Sequence, residues 1–320
     1  MSLSMKRSIM GTVVALAVGW TGLMPAMAAD YPTKPITMLI GYKAGGQTDL
    51  VGRATARVMS EQLGVPINVV NKPGAGGAVA AAGLQREDAD GYTIMFHANS
   101  VINTAPFLMK RVIFKPEDFE YAGMITAYQA GLVTQKDAPF NNLAEFVTWA
   151  KANPGFSYGS LSPASRMTMD QISQKEGLDV NIVPLKGGGD MINAILGKQV
   201  ILALSGGIHN NYPDEMKMIS ALTTFRHPSA PDVNTIEENG YPIGMDTRTV
   251  LILPKGTPRE ILDQLADALK AAETDEGFKK IVATANVPIM YFDVDASYKE
   301  MQDSYTSNGA IMKNAGIEPK

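Results

Sequence analysis

Three times along the chain an apolar run of strand length stops at a loop of glycine or hydroxyl residues that leads straight into a helical segment. The first loop is Lys43-Ala44-Gly45-Gly46-Gln47-Thr48-Asp49, between the strand-like run 36–42 and the helical run 50–63. The second, Ser160-Leu161-Ser162-Pro163-Ala164-Ser165, follows the run 156–159 and precedes a helix over 167–176. The third, Lys186-Gly187-Gly188-Gly189-Asp190, follows the run 180–184 and opens another helix. Alternating strands and helices confine the chain to αβ layers with largely parallel sheets. In such sheets the strand-to-helix turns collect along the carboxyl edge, where open αβ sheets bind ligands.

Loops of this composition suit an anion. Glycine lets backbone N–H groups come close to a ligand, and the free N–H groups of a first helical turn, with the helix dipole, favour a carboxylate or phosphate. The same turn can also serve only to reverse the chain. Thr48 and Asp49 are cap candidates, and Asp49 is alternatively a partner for a ligand amino group. Lys43 and Arg166 flank two of the loops and offer charge-assisted contacts, Arg166 in bidentate fashion; each is equally a surface base paired with an acid.

The remaining pattern repeats this grammar. Leu50, Ala54, Val58, Met59 and Leu63 form one apolar face, ended by Gly64-Val65-Pro66. A strand at 67–70 leads through Asn71-Lys72-Pro73-Gly74-Ala75-Gly76-Gly77 to a small-residue helix at 78–84, and Asp90-Gly91 opens a strand at 92–96. Residues 121–134 read as one strand or two short ones, and Asn142 with Glu145 resembles a capping box for a helix reaching 151. Strands are expected at 199–204 and 249–253. Thr257, Pro258 and Glu260 suit N-cap, N1 and N3 of a helix, and a last helix covers 296–314.

The N-terminus reads as a secretory signal: Lys6 and Arg7, an apolar run at 9–23, then Ala26-Met27-Ala28 as cleavage site. The absence of cysteine among 320 residues excludes a disulfide framework and thiolate chemistry, and suits an oxidising periplasm. Without Lys6 and Arg7 the 28 basic residues become 26 against 32 acidic, a balance of −6 that gives no footing for nucleic acid. The length after the signal exceeds the usual single core, so two domains are expected.

Catalytic chemistry finds little support. His97, His209 and His227 are too few and scattered for a metal cluster or triad, and read as loop or surface residues, although His97 ends a strand and, with Asn99 beyond it, could face a ligand. There is no GxxxxGK[ST] loop, and Gly74-Ala75-Gly76-Gly77 lacks the acidic partner of a dinucleotide turn.

On these motifs, together with Asp90-Gly91-Tyr92-Thr93, Ala150-Lys151-Ala152-Asn153-Pro154-Gly155, Val183-Pro184-Leu185-Lys186-Gly187-Gly188-Gly189 and Pro254-Lys255-Gly256-Thr257-Pro258, the chain resembles the solute-binding proteins of tripartite tricarboxylate transporters, the Bug family. The resemblance runs from Tyr31 to the C-terminus. It implies a type II-like periplasmic-binding-protein clamshell with two interdomain crossings, near 125–133 and 246–250. The implied division is a signal peptide at 1–28, one domain of 29–127 with 248–320, and a second of 128–247. It further implies no cofactor and no catalysis. The expected partners are an organic acid, with a dicarboxylate expected, and the large and small membrane subunits of the transporter, served by a monomer.

By this resemblance one ligand carboxylate lies against the first glycine turn, Ala44, Gly45, Gly46, Gln47 and Thr48, and Ser160, Ser162 and Ser165 complete the site from the second domain. Lys43, Asp49, His97, Asn99, Arg166, Lys186, Gly187, Gly188 and Arg248 are the further candidates. Lys43 stands where a small apolar residue is usual, Thr168 where histidine is common, and Arg248 near the hinge where tryptophan is frequent, so a cationic pocket is expected. A periplasmic sensor is the alternative with the same cleft, and a hydrolase is the third reading.

Overall fold

The computed structural model describes residues 31–224, 226, 230–244, 246–285, 287–314, 316 and 318–319. The expected secretory signal and His227 lie outside the described residues. Two sheets organise residues 32–319. The first holds β1 (Ile36–Ile40), β2 (Ile67–Asn71), β3 (Thr93–Ala98), β4 (Phe119–Ala127), β10 (Arg248–Pro254) and β11 (Ile289–Phe292), in the order β11-β4-β10-β3-β1-β2. The second holds β5 (Gly131–Gln135), β6 (Phe156–Ser160), β7 (Val180–Pro184), β8 (Leu202–Ser205) and β9 (Met216–Ala221), in the order β7-β6-β8-β5-β9. The chain therefore passes from the first sheet to the second after β4 and returns before β10.

Helices α1 (Gln47–Leu63), α2 (Ala78–Leu84), α3 (Ser100–Asn103), α7 (Arg259–Lys270), α8 (Glu276–Thr284) and α9 (Val294–Asn314) accompany the first sheet in sequence. With the second run α4 (Leu143–Ala152), α5 (Pro163–Glu176) and α6 (Gly188–Leu196). β4 is buried along its whole length because β10 and β11 flank it while α7 and α9 cover it. The core of this lobe includes Leu39, Met95, Phe119, Tyr121 and Ile252. In the second lobe Phe140, Phe146, Trp149 and Phe156 form an aromatic group with ring centroids 5.1 to 6.4 Å apart. Met312 of α9 reaches into that core, so the last helix ties the lobes together.

The largely parallel sheets expected from the alternation are not found. Among the described residues the strand pairings are four parallel and five antiparallel. Parallel pairing is confined to β1 with β2 and β3, and to β6 with β7 and β8, where helices make the crossovers. β5 and β10, the strands that follow each crossing, enter their sheets antiparallel to both neighbours. The run 121–134 resolves into β4 and β5 in different sheets, and β9, α8 and β11 had no separate sequence signal.

Cap chemistry differs in detail. Asn142 Oδ1 accepts from Glu145 N at 2.9 Å, whereas the Glu145 carboxylate takes Asn141 N–H instead of closing the box on Asn142. Thr257 does not cap α7: Pro258, in extended geometry, holds the N-cap position, and the Thr257 hydroxyl donates to Pro254 O at 2.8 Å. α5 begins earlier than its periodicity suggests, because Ser162 caps it and Pro163 occupies N1.

Candidate functional site

The turns after β1, β6 and β7 all lie at strand carboxyl ends, and folding brings the first and third into contact. Lys43 N–H donates to Lys186 O at 3.0 Å, and Lys43 Nζ lies 3.2 Å from Asp190 Oδ1. Gly46 meets Gly188 so closely that a Cβ on Gly46 would stand 2.9 Å from Gly188 N. Only paired glycines let the N-termini of α1 and α6 approach this far.

Beside this contact lies a cavity of about 90 Å³, counted as the space open to the centre of a water molecule. At about 10–15 Å³ for each water by that measure, it holds on the order of six to nine waters, the bulk of a small organic acid. Its wall draws on both lobes and both crossings: Gln47 and Thr48 open α1, Ser162 and Ala164 open α5, and Gly187 and Gly188 open α6. Tyr128 and Thr247, from the two crossings, line it and are joined by Tyr128 N–H to Thr247 O at 2.7 Å. Leu161, Leu204, Ile208, Leu222 and Ile243 make the wall largely apolar.

No described residue of this lining is charged, where the sequence led to the expectation of a cationic pocket; Arg166 and Lys110 line an adjoining outer space instead. Three of the candidate cations have an acid beside them. Lys43 is held by Asp190, Arg166 faces Asp170 at 3.5 Å, and Arg248 is held by Glu300 at 3.2 Å with Phe292 under its guanidinium. Arg248 is thereby turned into the first lobe, away from the cavity, and its backbone N–H donates to Asn99 Oδ1. The positive potential at the cavity comes instead from three helix N-termini. Hydroxyl donors add to it: Thr48 Oγ1 and Tyr128 OH lie 2.6 Å apart. Burial pushes the Tyr42 phenol up to about 12 and raises that of Tyr128 as well, against the lowering effect of its bond to Thr48, so both keep their protons at neutral pH. Gln47 is buried, and its Oε1 has no partner among the described residues.

Of the remaining candidates, Ala44, Gly45 and Lys186 belong to the contact between turns and do not line the cavity. Asp49 is buried beneath its own turn and acts as a fastening rather than an amine partner. Burial pushes its carboxyl up, yet bonds from Arg53, Gly45 N–H and Asn71 hold it on balance below the usual range. Ser165 accepts or donates to Tyr158 OH at 2.9 Å under the loop, and Ser160 Oγ donates to Ser162 O.

His97 and Asn99 are fully buried and do not line the cavity; Ala98 and Ser100 do. Side chains alternate along a strand, so His97 points to the face of β3 opposite Ala98. His97 is therefore not a loop or surface residue: Nε2–H donates to Gly76 O at 3.1 Å. His209 is also buried, with Nδ1 2.9 Å from Ser205 Oγ, and neither member of that pair lines the cavity. Sequence reasoning missed Tyr42, Tyr128 and Thr247; the last two fall within the crossing segments, the one signal that pointed to them. Thr168, marked only as a departure from the family pattern, also lines the cavity.

Burial drives the His97 imidazole down from 6.5 to about 4, against the raising effect of its bond to Gly76. The unfolded chain then takes up this proton at a higher pH than the folded protein. The contribution is fully present above pH 6.5 and is lost as pH falls towards about 4. Urea titrations across that window should show a decline of at most about 1.4 kcal/mol per pH unit from this group, absent in His97→Gln. An unchanged slope in the variant would show that His97 is not the linked group.

The family model described as tripartite tricarboxylate transporter family receptor matches residues 51–317. A UPF0065 protein in the gbd 5′ region of Cupriavidus necator is 31% identical over 314 residues, covering 96% of each chain. The structure of the periplasmic binding protein BugD superposes with a TM-score of 0.83 at 27% identity, over 91% of this chain and 100% of that one. MatC of Rhodopseudomonas palustris with bound malate shares the fold, with a TM-score of 0.79 at 22% identity over 88% of this chain and 99% of its own.

Proposed function

The chain belongs to the tripartite tricarboxylate transporter receptor family, and from that premise we propose that it is a periplasmic receptor that closes on an organic carboxylate and delivers it to the large and small membrane subunits of such a transporter. One observation carries the ligand class. Three helix N-termini, from two lobes, border a largely apolar cavity whose described lining is uncharged, so an anion there meets N–H and hydroxyl donors and no competing carboxylate.

In this reading no bond is made or broken, and the protein acts as a monomer. Residues 29–127 with 248–320 form one closing body and 128–247 the other. The crossings near 125–133 and 246–250 serve as hinge, and the ligand shifts the population towards the closed state by its extra contacts there. The finer form of the reading is a dicarboxylate, the class to which the malate of MatC belongs.

A thermal-shift screen of the purified protein against mono-, di- and tricarboxylates, aromatic acids and acidic amino acids tests it. A ligand at a hundred times its dissociation constant adds about 2.7 kcal/mol of stability, a plain rise in melting temperature. Absence of any shift across the panel would overturn the carboxylate reading.

A further inference from the structure

The two lobes bring different chemistry to the inner cavity. The first lobe lines it with Tyr42, Gln47, Thr48 and Ser100, all uncharged and all able to form hydrogen bonds, with Ala98 beside them. The second lobe adds the N-termini of α5 and α6, and beyond them its wall is Leu161, Leu204, Ile208, Leu222 and Ile243. The side-chain hydroxyls of this lobe at the cavity are tied to their own helix. Ser162 Oγ accepts from Ser165 N–H at 3.2 Å, and Thr168 Oγ1 donates to Ala164 O at 3.0 Å. The apolar side chains are held in place from behind. Leu222 and Ile243, both buried, belong to the core of the lobe with Phe146 and Tyr158, and Leu204 packs against the same cluster. Ile208 is buried in the neighbouring cluster with Ile195 and Val200. A close-packed wall of this kind has no room to swing a polar group in or an apolar one out.

We infer that this wall selects the carbon skeleton of the ligand: beyond the carbon next to the bound carboxylate, the second lobe accepts hydrogen or methyl against Leu204, Leu222 and Ile243 and rejects a hydroxyl, keto or amino group. The inference rests on the receptor reading above and adds to it the character of the ligand's skeleton. With the carboxylate at the helix N-termini, the next few carbons are what meets the wall. A methyl group there leaves water and gains dispersion contacts. A hydroxyl there gives up its water and finds neither donor nor acceptor among those side chains. The first lobe, polar at the cavity, offers partners to either group and cannot make the distinction. Leu204, Leu222 and Ile243 are thereby specificity-determining residues, distinct from the backbone N–H groups that hold the carboxylate.

Titration calorimetry of the wild type with two matched pairs tests this: 3-methylbutanoate against 3-hydroxybutanoate, and 3-methylpentanedioate against 3-hydroxypentanedioate. Methyl and hydroxyl are nearly the same size, so each pair isolates polarity at the third carbon. The methyl member should bind more tightly by roughly tenfold or more, the discrimination an apolar pocket makes between such isosteres. Leu222→Asn keeps the shape of the side chain while supplying a donor and an acceptor, and should cut that ratio by roughly fivefold or more. A thermal melt without ligand checks that the variant is folded, and the wild-type comparison decides the inference without it. If the hydroxyl members bind as tightly as the methyl members, the wall does not select and the receptor reading stands. An unchanged ratio in folded Leu222→Asn removes Leu222 from the selecting wall. If another carboxylate binds and none of these four does, the skeleton assigned to the ligand is wrong; if no carboxylate binds at all, the receptor reading falls with it.

Discussion

Gly46→Val is expected to lower ligand affinity at least a hundredfold, about 2.8 kcal/mol, while the ligand-free protein melts close to wild type. Gly46 holds an extended backbone, with φ −86° and ψ 170°, which valine adopts without strain. Its glycine identity is demanded by the opposite lobe: a Cβ would stand 2.9 Å from Gly188 N and 3.3 Å from Gly188 Cα. Both neighbours are backbone and cannot swing aside as a side chain does. The branched side chain would hold the turn after β1 off the turn after β7, leaving the N-termini of α1 and α6 too far apart to act on one carboxylate. A lobe that is merely held open keeps its own core, so binding should suffer and folding should not. Calorimetry and thermal melts on the same sample separate the two effects. Wild-type affinity in Gly46→Val would mean that the contact between turns plays no part in capture.

The second large effect is on stability. Gly77→Ala should cost about 3 kcal/mol, a fall in melting temperature of roughly 5 °C for a chain of this size. Two causes add. Gly77 has φ +99°, which L side chains adopt only with strain, and an added Cβ would fall 2.1 Å from His97 Nε2. His97 has no room to yield, because it is fully buried, bonded to Gly76 O, and lies 4.3 Å from the Tyr42 ring between centroids. The clash and the backbone strain can be told apart in a double-mutant cycle. In a His97→Ser background Gly77→Ala should cost only the strain, about 1–2 kcal/mol. An equal cost in both backgrounds would show that His97 is not what excludes a side chain there. Tyr42 carries this packing forward, since it touches His97 on one side and lines the cavity on the other.

Much of the architecture was legible because it is local. Apolar periodicity marked α1, cap-like spacings pointed to α4 and α7, and the apolar runs bounded by turn residues marked β1, β2, β6 and β7. What escaped was short or context-bound. β11 is a four-residue edge strand whose residues are all half-buried, which leaves no clean alternation to read. The antiparallel entry of β5 and β10 follows from the chain's return between sheets, and no window of neighbouring residues contains that information.

The site divides along the same line. Glycine and hydroxyl loops at strand ends, and through them the family and the expectation of an anion, were in the sequence itself, since turn chemistry and helix initiation depend on residues a few positions apart. Even the Arg166–Asp170 pair was legible in this way, as an i,i+4 spacing on a helix. Tertiary structure alone decided which groups face the ligand space. Lys43 pairs with Asp190, 147 positions away, and Arg248 with Glu300, 52 positions away. The alternation of β3 put Ala98 at the cavity and His97 behind it. Gly46 found its partner in Gly188. The physical reason is common to all of these: a backbone turn carries its chemistry wherever it goes, whereas a side chain's role is fixed by the nearest opposite charge and the nearest free volume, and both are supplied by distant parts of the chain.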